Sequence, residues 1–578
     1  MGAKFKKLDI KLDIVDITVA IFYYLFCCFL LIGALGIFNR YLIFLILAIL
    51  TVALFLFRNS IVIEKKYLWF FLIVPVVTAG FGYLRGFFTG DAYTLWLTVA
   101  REIAKSGHIP DFYISYPFAR EPLLPLLFAA TFSIFKIFNE FLCLWVPFFF
   151  TSATLIVLYQ WAKTKGLGKT LLYFLPLLFL SNPQLNFIGG WNLLQESLIL
   201  FFTTAFFYYY DTYLENKNFK NIIFLIFSFT LACASKISGP FLILLIIFLF
   251  LKSRHKKQIL IYSLLILIPV IIWFARNYLI FDNPFFPTFN GLFGGKYAQV
   301  VNSYQYFRNI STDFSLARFS YAFSLLIFAF PFLFLALYQF IKSRRWDYLV
   351  FFSAFVFFKE IFLFTVTASN IRYYYSFLGL FLVYALLGLE RLKSKWLLGL
   401  FMLVALGQLL FIPVTDSSSQ FISFFENKFS FLGNLFVFLH NYWYLVLLIL
   451  VPFIYKFCQK NEAKIFLIFL YCLFILNLSF VVNKSWLNVW PFIPLALILL
   501  VFFSYKEVKY FRQLLATVVI FVILVNSWIL GSLYYLNQGK VEIPVPFLYE
   551  SSSWAKEVLD KEIPLVERNK FFILITAQ

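Results

Sequence analysis

Charged residues, histidine and paired cysteines are all scarce in this sequence. Only 13% of its 578 residues are charged, about half the share found in ordinary soluble domains, so a soluble globular protein is excluded. The three histidines, His108, His255 and His440, are too scattered for a zinc site. The six cysteines lie in apolar segments or in a basic loop, where neither a disulfide framework nor a metal pair is expected. A glycine-rich phosphate loop is also missing, which argues against a nucleotide-sugar or ATP site.

Long apolar segments make up most of the chain. Hydrophobic residues account for 63% of it, and apolar runs of about 17 to 23 residues recur from end to end, each long enough to cross a bilayer as a helix. The first residues lack the pattern of a cleavable signal peptide, and the first apolar run has the length of a membrane anchor. The sequence therefore predicts an all-α polytopic protein of the cell membrane.

The basic residues predict how the chain crosses the membrane. The formal net charge is +21, but Lys and Arg gather in short loops between apolar runs, which is typical of cytoplasmic loops and not of a nucleic-acid surface. With the N-terminus cytoplasmic, about 17 crossings place every basic loop inside. This requires that 123–138 is not a crossing, so we predict a juxtamembrane or re-entrant helix there, on the outer face. The predicted crossings lie near 17–37, 41–57, 67–84, 141–161, 171–187, 193–213, 221–235, 239–252, 259–275, 319–341, 348–369, 373–390, 396–413, 438–456, 465–482, 488–504 and 512–535.

Four regions follow from this topology. Region 1–84 contains the cytoplasmic N-terminal tail and three transmembrane helices, and region 85–140 is an outer-face loop with juxtamembrane helices, the candidate catalytic loop. The main transmembrane domain covers 141–535, and a short extracytoplasmic tail covers 536–578. The outer-face loops of the main domain hold many of the unusual polar residues and are predicted at 181–192, 276–318, 368–375 and 414–437.

Several outer-face motifs resemble the landmarks of one enzyme family. Asp91 comes first, followed by an amphipathic segment at 92–106 and by Arg120-Glu121-Pro122. Later motifs are NPQLNFIGGWNLLQES (182–197), ASKISG (234–239), WFARNYLIFDNPFFP (273–287) and SNIRYYYSFLGLFLVYALLG (369–388). In content and order they resemble the GT-C superfamily of membrane glycosyltransferases, above all the dolichyl-phosphate-mannose protein mannosyltransferase and lipid A aminoarabinose transferase type, over about 67–390.

The resemblance implies a GT-C-like fold and transfer of a sugar, with inversion, from a polyprenyl-phosphate-linked donor to a protein, lipid or glycan on the extracytoplasmic face. Such a reaction needs a base for the acceptor proton, and Asp91 at the predicted membrane surface suits that role. The alternative is that Asp91 only caps the helix at 92–106. Leu95, Val99 and Ile103 share one face of that helix, which favours a helix lying in the membrane interface and flooring a groove for the lipid donor.

Two further acids, Glu121 and Glu196, are candidate catalytic-site residues. Glu196 lies in an apolar segment, where an ionisable group is costly and commonly functional. By resemblance, both acids line the cavity and orient the acceptor or the leaving group, and the alternative for each is solvation at a helix end. No metal is required by this set. If a divalent cation is used, Asp91 and Glu196 are the oxygen ligands that suit Mg²⁺ or Mn²⁺.

Arginine, lysine and tyrosine residues near the outer face are candidate ligands for the lipid-phosphate donor. Arg372 offers bidentate guanidinium geometry to a phosphate, and its alternative place is in an interfacial aromatic belt. Lys359 lies inside a predicted span, where it either reaches the phosphate from below or forms an interhelical ion pair. The complete set comprises Arg372, Arg276, Lys359 and Lys236 for the phosphate, with Tyr373 and Tyr374 for the isoprenoid chain.

Two other classes of protein stay open. A lipid or solute transporter or flippase shares the many spans, but an internal repeat and polar sites near the midplane are expected of it, and the polar residues here concentrate on one face. An O-antigen-type glycan polymerase or ligase shares the outward site and the lipid-linked donor. It is expected to use paired arginines in a large loop, for which Arg308 and Arg318 are available.

Overall fold

A computed structural model describes the chain in two compact units. Among the described residues, unit 1 runs through 11–161 and 193–285, and unit 2 through 162–182 and the described part of 332–467. The described residues are 11–64, 67, 69–76, 92–113, 116–117, 121–182, 193–253, 255–285, 332–358, 368–393, 398–399, 401, 454–455, 461, 464 and 467.

Nearly all the regular structure in the described residues is helical. The elements in chain order are β1 (Leu12–Asp13), α1 (Ile14–Ala34), α2 (Arg40–Leu56), a 3-10 turn (Arg58–Ser60), β2 (Ile61–Val62), a π-helical turn (Ala92–Leu97), α3 (Thr98–Ser106), β3 (Phe112–Tyr113), β4 (Tyr116–Pro117), α4 (Leu123–Phe135), a 3-10 turn (Glu140–Leu144), α5 (Trp145–Thr164), α6 (Lys169–Leu180), α7 (Glu196–Asn216), α8 (Phe219–Ser235), a 3-10 turn (Gly239–Leu242), α9 (Ile243–Lys252), α10 (Lys256–Ile266), α11 (Ile268–Phe281), α12 (Leu333–Lys342), α13 (Trp346–Phe358), a 3-10 helix (Ala368–Phe377) and α14 (Leu378–Leu392). The strands form two small pairs, β1 parallel to β2 and β3 antiparallel to β4.

Three helices among the described residues are long and apolar enough to cross a membrane. They are Ile14–Ala34, Glu140–Thr164 and Tyr373–Leu392. Together, α10 and α11 form a fourth if they are counted as one bent span. These helices confirm an α-helical protein of membrane type. The total of about 17 crossings stays a prediction, because several of the predicted crossings lie outside the described residues.

The crossing predicted at 259–275 is broken into two helices, α10 and α11. The two helices meet at an angle of 55°. Pro269 lies in the first turn of α11 and has no N–H group, so it cannot continue the hydrogen bonds of α10. The second helix then runs on to Phe281. Arg276, which we predicted to open an outer loop, therefore lies inside a helix, near its end.

The helix after Asp91 buries the predicted apolar face. Leu95, Val99 and Ile103 are 8%, 0% and 0% exposed, in agreement with their spacing. However, this helix packs on α4. Its apolar face is thus covered by protein, because α4 supplies an apolar partner that periodicity alone does not reveal. The place of this helix in the membrane interface stays a prediction.

Helix α4 is too short to cross a bilayer. Its 13 residues span about 20 Å at 1.5 Å per residue, against about 30 Å of hydrocarbon. Ten of these residues, Leu123 to Phe132, are buried in the protein. The length agrees with the prediction that 123–138 is not a crossing, and its place on the outer face stays a prediction.

Aromatic packing joins the long helices of unit 1. The Phe22 ring of α1 lies 4.5 Å from Phe150 of α5 and 6.5 Å from Phe202 of α7, and the last two rings are 5.4 Å apart. Rings at these separations add attraction beyond the burial of their area. Helices α1, α5 and α7 are therefore held together by one aromatic core.

One end of unit 1, which we call the N-terminal end, carries a buried charged group. Tyr209 donates its hydroxyl hydrogen to Asp16 Oδ1 at 2.9 Å, and Lys220 Nζ donates to Asp16 Oδ2. Asp16 is fully buried, so its charge requires these partners. The start of α1, the last turns of α7 and the start of α8 therefore lie together.

The opposite end of unit 1, which we call the site end, is joined by backbone hydrogen bonds. Phe38 N–H donates to the Gly107 carbonyl at 2.9 Å, and Ile109 N–H donates to the Gly33 carbonyl at 3.1 Å. These bonds tie the α1–α2 connection to the segment after α3. That segment leads directly to the polar residues described below.

Asp13 at the N-terminal end predicts a pH dependence of stability. Burial, together with the nearby charge of Asp16, raises the pKa of Asp13 from 3.8 to about 6. A raised carboxyl pKa means that the folded state binds the proton more tightly than the unfolded state, so stability is expected to fall as pH rises from about 4 to about 6.

The Asp13→Asn variant keeps the side-chain oxygen that caps α1. We expect it to unfold at a higher temperature than wild type at pH 7.5 and at an equal temperature near pH 4, measured by intrinsic fluorescence in detergent. Glu215→Gln, an exposed change at the same end, is the control. The prediction is contradicted if the unfolding temperature of Asp13→Asn falls with rising pH as steeply as that of wild type.

Unit 2 is built around α12 and α14, which approach closely. A Cβ added at Gly388 would lie 2.9 Å from the Leu335 carbonyl oxygen, so the contact needs glycine. Arg345, just before α13, makes an ion pair with Asp347 at 3.0 Å and donates to the Tyr384 hydroxyl. These contacts hold α13 and α14 to the connection that follows α12.

Candidate functional site

Four polar side chains from three parts of the chain meet at the site end of unit 1. Glu121 directly precedes α4, Gln195 and Glu196 lie at the start of α7, and Lys236 follows α8. The Gln195 amide Nε2 donates to Glu121 Oε2 at 2.9 Å, and Lys236 Nζ donates to Glu196 Oε1 at 2.8 Å. We call these four residues the glutamate cluster. It brings together Glu121, Glu196 and Lys236, three of the residues predicted from the sequence.

Glu196 and Lys236 form a buried ion pair. Each side chain is only 4% exposed. Charges removed from water to this degree are tolerated because they neutralise each other, and the loss of one partner is far more costly than the loss of both. Glu196 is therefore suited to fix the start of α7 and less suited to accept a proton.

A tight turn places Lys236 opposite Glu196. The Gly239 N–H donates to the Lys236 carbonyl at 2.8 Å, and the Lys236 N–H donates to the Ala232 carbonyl at 3.1 Å. A Cβ added at Gly239 would lie 2.2 Å from the Ala232 carbonyl oxygen. Only glycine allows the chain to approach the end of α8 this closely.

Gly239→Ala is expected to lower stability by about 1–3 kcal/mol, because the turn must open to admit the methyl group. The same movement withdraws Lys236 from Glu196. Thermal unfolding in detergent measures the effect. Gly399→Ala is the matched control, since no atom lies within 4 Å of the added Cβ there. Equal unfolding temperatures for the two variants contradict the prediction.

Gln195 is a site residue that the sequence reasoning missed. It is 6% exposed, and its amide fixes the orientation of the half-buried Glu121 carboxylate. A buried amide of this kind is normally hydrogen-bonded. The signal for it in the sequence is a polar Gln-Glu pair at the start of an apolar run.

A second group of residues surrounds Arg276 in the last turns of α11. Its Nη2 donates to Asp111 Oδ1 at 2.6 Å and to the Pro110 carbonyl at 3.1 Å, while Nη1 donates to Asn277 Oδ1 at 3.1 Å. The guanidinium carbon lies 4.6 Å from the centre of the Trp273 ring, within reach of a cation–π attraction. We call Arg276, Asp111, Asn277 and Trp273 the arginine cluster. Asp111 lies within the predicted outer-face loop at 85–140, and the sequence alone assigns it no role.

The polar residues of the Arg-Asn-Tyr and Asn-Pro-Phe motifs close the end of α11. Asn277 is 1% exposed, and its Nδ2 lies 3.5 Å from the Pro284 carbonyl, which accepts its hydrogen bond. Asn283 is fully buried and accepts a hydrogen bond from the Phe285 N–H at 2.9 Å. Side-chain bonds to nearby backbone are typical of Asn at chain reversals. These contacts hold the chain folded back beside Arg276.

The remaining predicted residues are placed only in part. Tyr373 and Tyr374 are 5% and 1% exposed within unit 2, and the Tyr374 ring packs edge-on against Phe355 at 5.8 Å. The Arg372 backbone lies in the 3-10 helix before α14, and its side chain is outside the described part of the structure. The predicted residues wholly outside that part are Asp91, Lys359, Arg308 and Arg318.

No metal-binding cluster of three or more His, Cys, Asp or Glu side chains occurs among the described residues. Glu196, one of the two oxygen ligands predicted for a cation, is engaged by Lys236. The other, Asp91, lies outside the described residues. A divalent cation thus stays a prediction, and no step proposed below depends on one.

The chain shows limited similarity to known proteins. No protein-family model and no curated protein matches the chain. Two solved structures resemble it, both of ArnT from Cupriavidus metallidurans. The one bound to undecaprenyl phosphate is 14% identical, with 76% of each chain covered and a TM-score of 0.45. The apo structure is 15% identical, with 72% of this chain and 75% of that chain covered and a TM-score of 0.44. We therefore base the proposed function on the residues of this chain.

Proposed function

We propose that this chain is a membrane glycosyltransferase that moves a sugar from a polyprenyl-phosphate-linked donor to a hydroxyl or amine acceptor on the outer face. The observation that supports it most is that motifs far apart in the sequence meet as pairs of complementary side chains. Asp111 and Arg276 are separated by 165 positions, and Glu121 and Gln195 by 74. Glu121, Gln195 and Arg276 belong to motifs that resemble the landmarks of such enzymes, and Asp111 lies between two of those motifs.

In the proposed reaction, the carboxylates bind and deprotonate the acceptor. Asp91 takes the proton from the acceptor as general base, and Glu121 orients the acceptor. The Glu196–Lys236 pair holds the start of α7 in place, and so holds the Gln195 amide that fixes Glu121. The acceptor oxygen or nitrogen then forms a bond to the anomeric carbon as the bond from that carbon to the phosphate oxygen breaks. One direct displacement inverts the anomeric configuration.

The cationic side chains bind the phosphate of the donor. The departing polyprenyl phosphate gains negative charge as the sugar leaves, and fixed positive groups aimed at it lower the barrier. Arg276 is the proposed guanidinium ligand among the described side chains, and Arg372 and Lys359 are further candidate cations from the sequence alone. Tyr373 and Tyr374 are the proposed contacts of the isoprenoid chain.

A donor panel tests the proposal. Purified wild-type protein in lipid nanodiscs is incubated with polyprenyl-phosphate sugars or with nucleotide sugars, together with lipid, peptide and glycan acceptors, and products are identified by mass spectrometry. We expect transfer from lipid donors only, with an inverted anomeric centre by NMR. A ladder of repeating products would indicate a glycan polymerase. Movement of lipid across the bilayer without cleavage of the sugar–phosphate bond would indicate a flippase, and either result overturns the proposal.

A further inference from the structure

The guanidinium of Arg276 already holds an anion of this chain. Asp111 Oδ1 lies 2.6 Å from Nη2, the Pro110 carbonyl accepts from the same nitrogen, and Asn277 accepts from Nη1. A carboxylate and a phosphate present similar oxygen acceptors to a guanidinium, which can bind either one in the same geometry. The position that the proposed function gives to the donor phosphate is therefore occupied by a side chain.

The two partners of this ion pair differ in how firmly they are held. Arg276 belongs to a helix, its side chain is 20% exposed, and the Trp273 ring lies against it. Asp111 is 47% exposed and lies on the short segment between α3 and the β3–β4 pair. An ion pair as open to water as this contributes little stability, so an incoming anion displaces it at small cost. The carboxylate is the partner free to move.

We propose that the Asp111 carboxylate competes with the lipid phosphate for Arg276. This proposal rests on the proposed function, in which Arg276 is a ligand of the phosphate. The incoming phosphate displaces Asp111 and frees the segment at 110–113. After transfer, the spent polyprenyl phosphate is a monoester that carries up to two negative charges, whereas the donor diester carries one. The product therefore binds Arg276 more strongly than the donor, and the return of Asp111 assists its release.

Binding of farnesyl phosphate to the full-length protein in phosphatidylcholine nanodiscs tests this competition. Asp111→Asn removes the competing charge and is expected to tighten binding by about 3- to 5-fold, the size expected for a half-exposed ion pair. Arg276→Gln is expected to weaken binding at least 10-fold, and the double variant to behave like Arg276→Gln. Asp282→Asn, the same change at the end of the same helix, is the matched control and is expected to match wild type. Farnesol and inorganic phosphate separate the contributions of the lipid chain and of the free anion.

Hydrogen exchange gives a second readout that does not depend on affinity. Farnesyl phosphate is expected to speed amide exchange at 111–113 in wild type, because displacement frees the segment, whereas simple binding slows exchange. In Asp111→Asn the segment is expected to exchange fast with or without ligand. Slower exchange in wild type upon binding overturns the proposal.

The outcomes separate this proposal from the proposed function. Weaker or unchanged farnesyl phosphate binding by Asp111→Asn overturns the competitor while leaving sugar transfer untouched. Inorganic phosphate that binds wild type as tightly as farnesyl phosphate shows a site for free anions and overturns the lipid-phosphate competitor. Equal tightening of farnesol, which carries no phosphate, overturns it as well. If Asp111→Asn tightens the binding of farnesyl phosphate but the wild-type protein transfers no sugar from any lipid donor, the competition at Arg276 is supported and the proposed glycosyltransferase activity is overturned.

Discussion

Asp91→Asn is expected to lower sugar transfer by at least about 100-fold, the lower end of what a positioned general base contributes. The amide keeps the size of the side chain and can still cap the helix that follows, but it cannot accept a proton at neutral pH. A residue that serves only as a helix cap is replaced by Asn at almost no cost. The substitution therefore separates the two roles that the sequence allows for Asp91.

Two comparisons make this result specific. Glu102→Gln, the same carboxyl-to-amide change in the helix that follows Asp91, is expected to keep transfer within about 2-fold, since surface substitutions have small effects. Binding of farnesyl phosphate and the unfolding temperature are expected to match wild type in Asp91→Asn. Transfer at the wild-type rate by Asp91→Asn would remove Asp91 from the mechanism, even if the donor panel shows a glycosyltransferase.

The sorting of unit 1 into two ends was predictable from sequence. Basic loops and apolar run lengths predict that the N-terminus, the start of α8 and the 253–257 loop share one side, while the segments near 107–122, 195 and 236 share the other. The described contacts agree: Lys220 pairs with Asp16 and Tyr213 with Ser253 at one end, and Lys236 pairs with Glu196 at the other. Which end faces outward stays a prediction.

The pairing within the site end was not predictable. A single sequence shows that Arg276 and Asp111 are polar residues in outer loops, but it does not show that the two meet. The same holds for Gln195, whose amide gains a role only when α7 starts beside Glu121. Periodicity predicted the buried face of the helix after Asp91, but its partner α4 depends on packing between segments. Local patterns determine which faces are buried, and long-range packing determines what covers them.

The bend at Leu267 has a local cause in the sequence. Pro269 lies inside the apolar run at 259–275, which has the length of one span, and a proline in such a run commonly kinks or ends the helix. The bend matters for the site, because it sets the direction of α11 and so the position of Arg276. Run length indicates a crossing at 259–275, and Pro269 is the residue in the sequence that indicates a break within it.

Breaking the Glu196–Lys236 ion pair is expected to produce the largest loss of stability of any variant considered above. Lys236→Met leaves the Glu196 carboxylate buried without its cation, and Glu196→Gln leaves the Lys236 ammonium buried without its anion. Each single change is expected to cost about 3–5 kcal/mol. The double variant removes both charges and is expected to cost much less than the sum of the two, which gives a coupling energy of more than about 2 kcal/mol. Thermal unfolding in detergent measures all four proteins.

Transfer by the double variant distinguishes a supporting role from a merely structural one. If the pair positions Gln195 and through it Glu121, the double variant is expected to unfold near the wild-type temperature and still transfer sugar at least 10-fold more slowly per folded molecule. The Asp16–Lys220 pair at the opposite end is the matched control, because it is also a buried Asp/Glu–Lys contact of unit 1. Asp16→Asn with Lys220→Met is expected to change stability and not the transfer rate per folded molecule. Equal transfer rates for the two double variants would show that Glu196 and Lys236 stabilise the fold without organising the reaction.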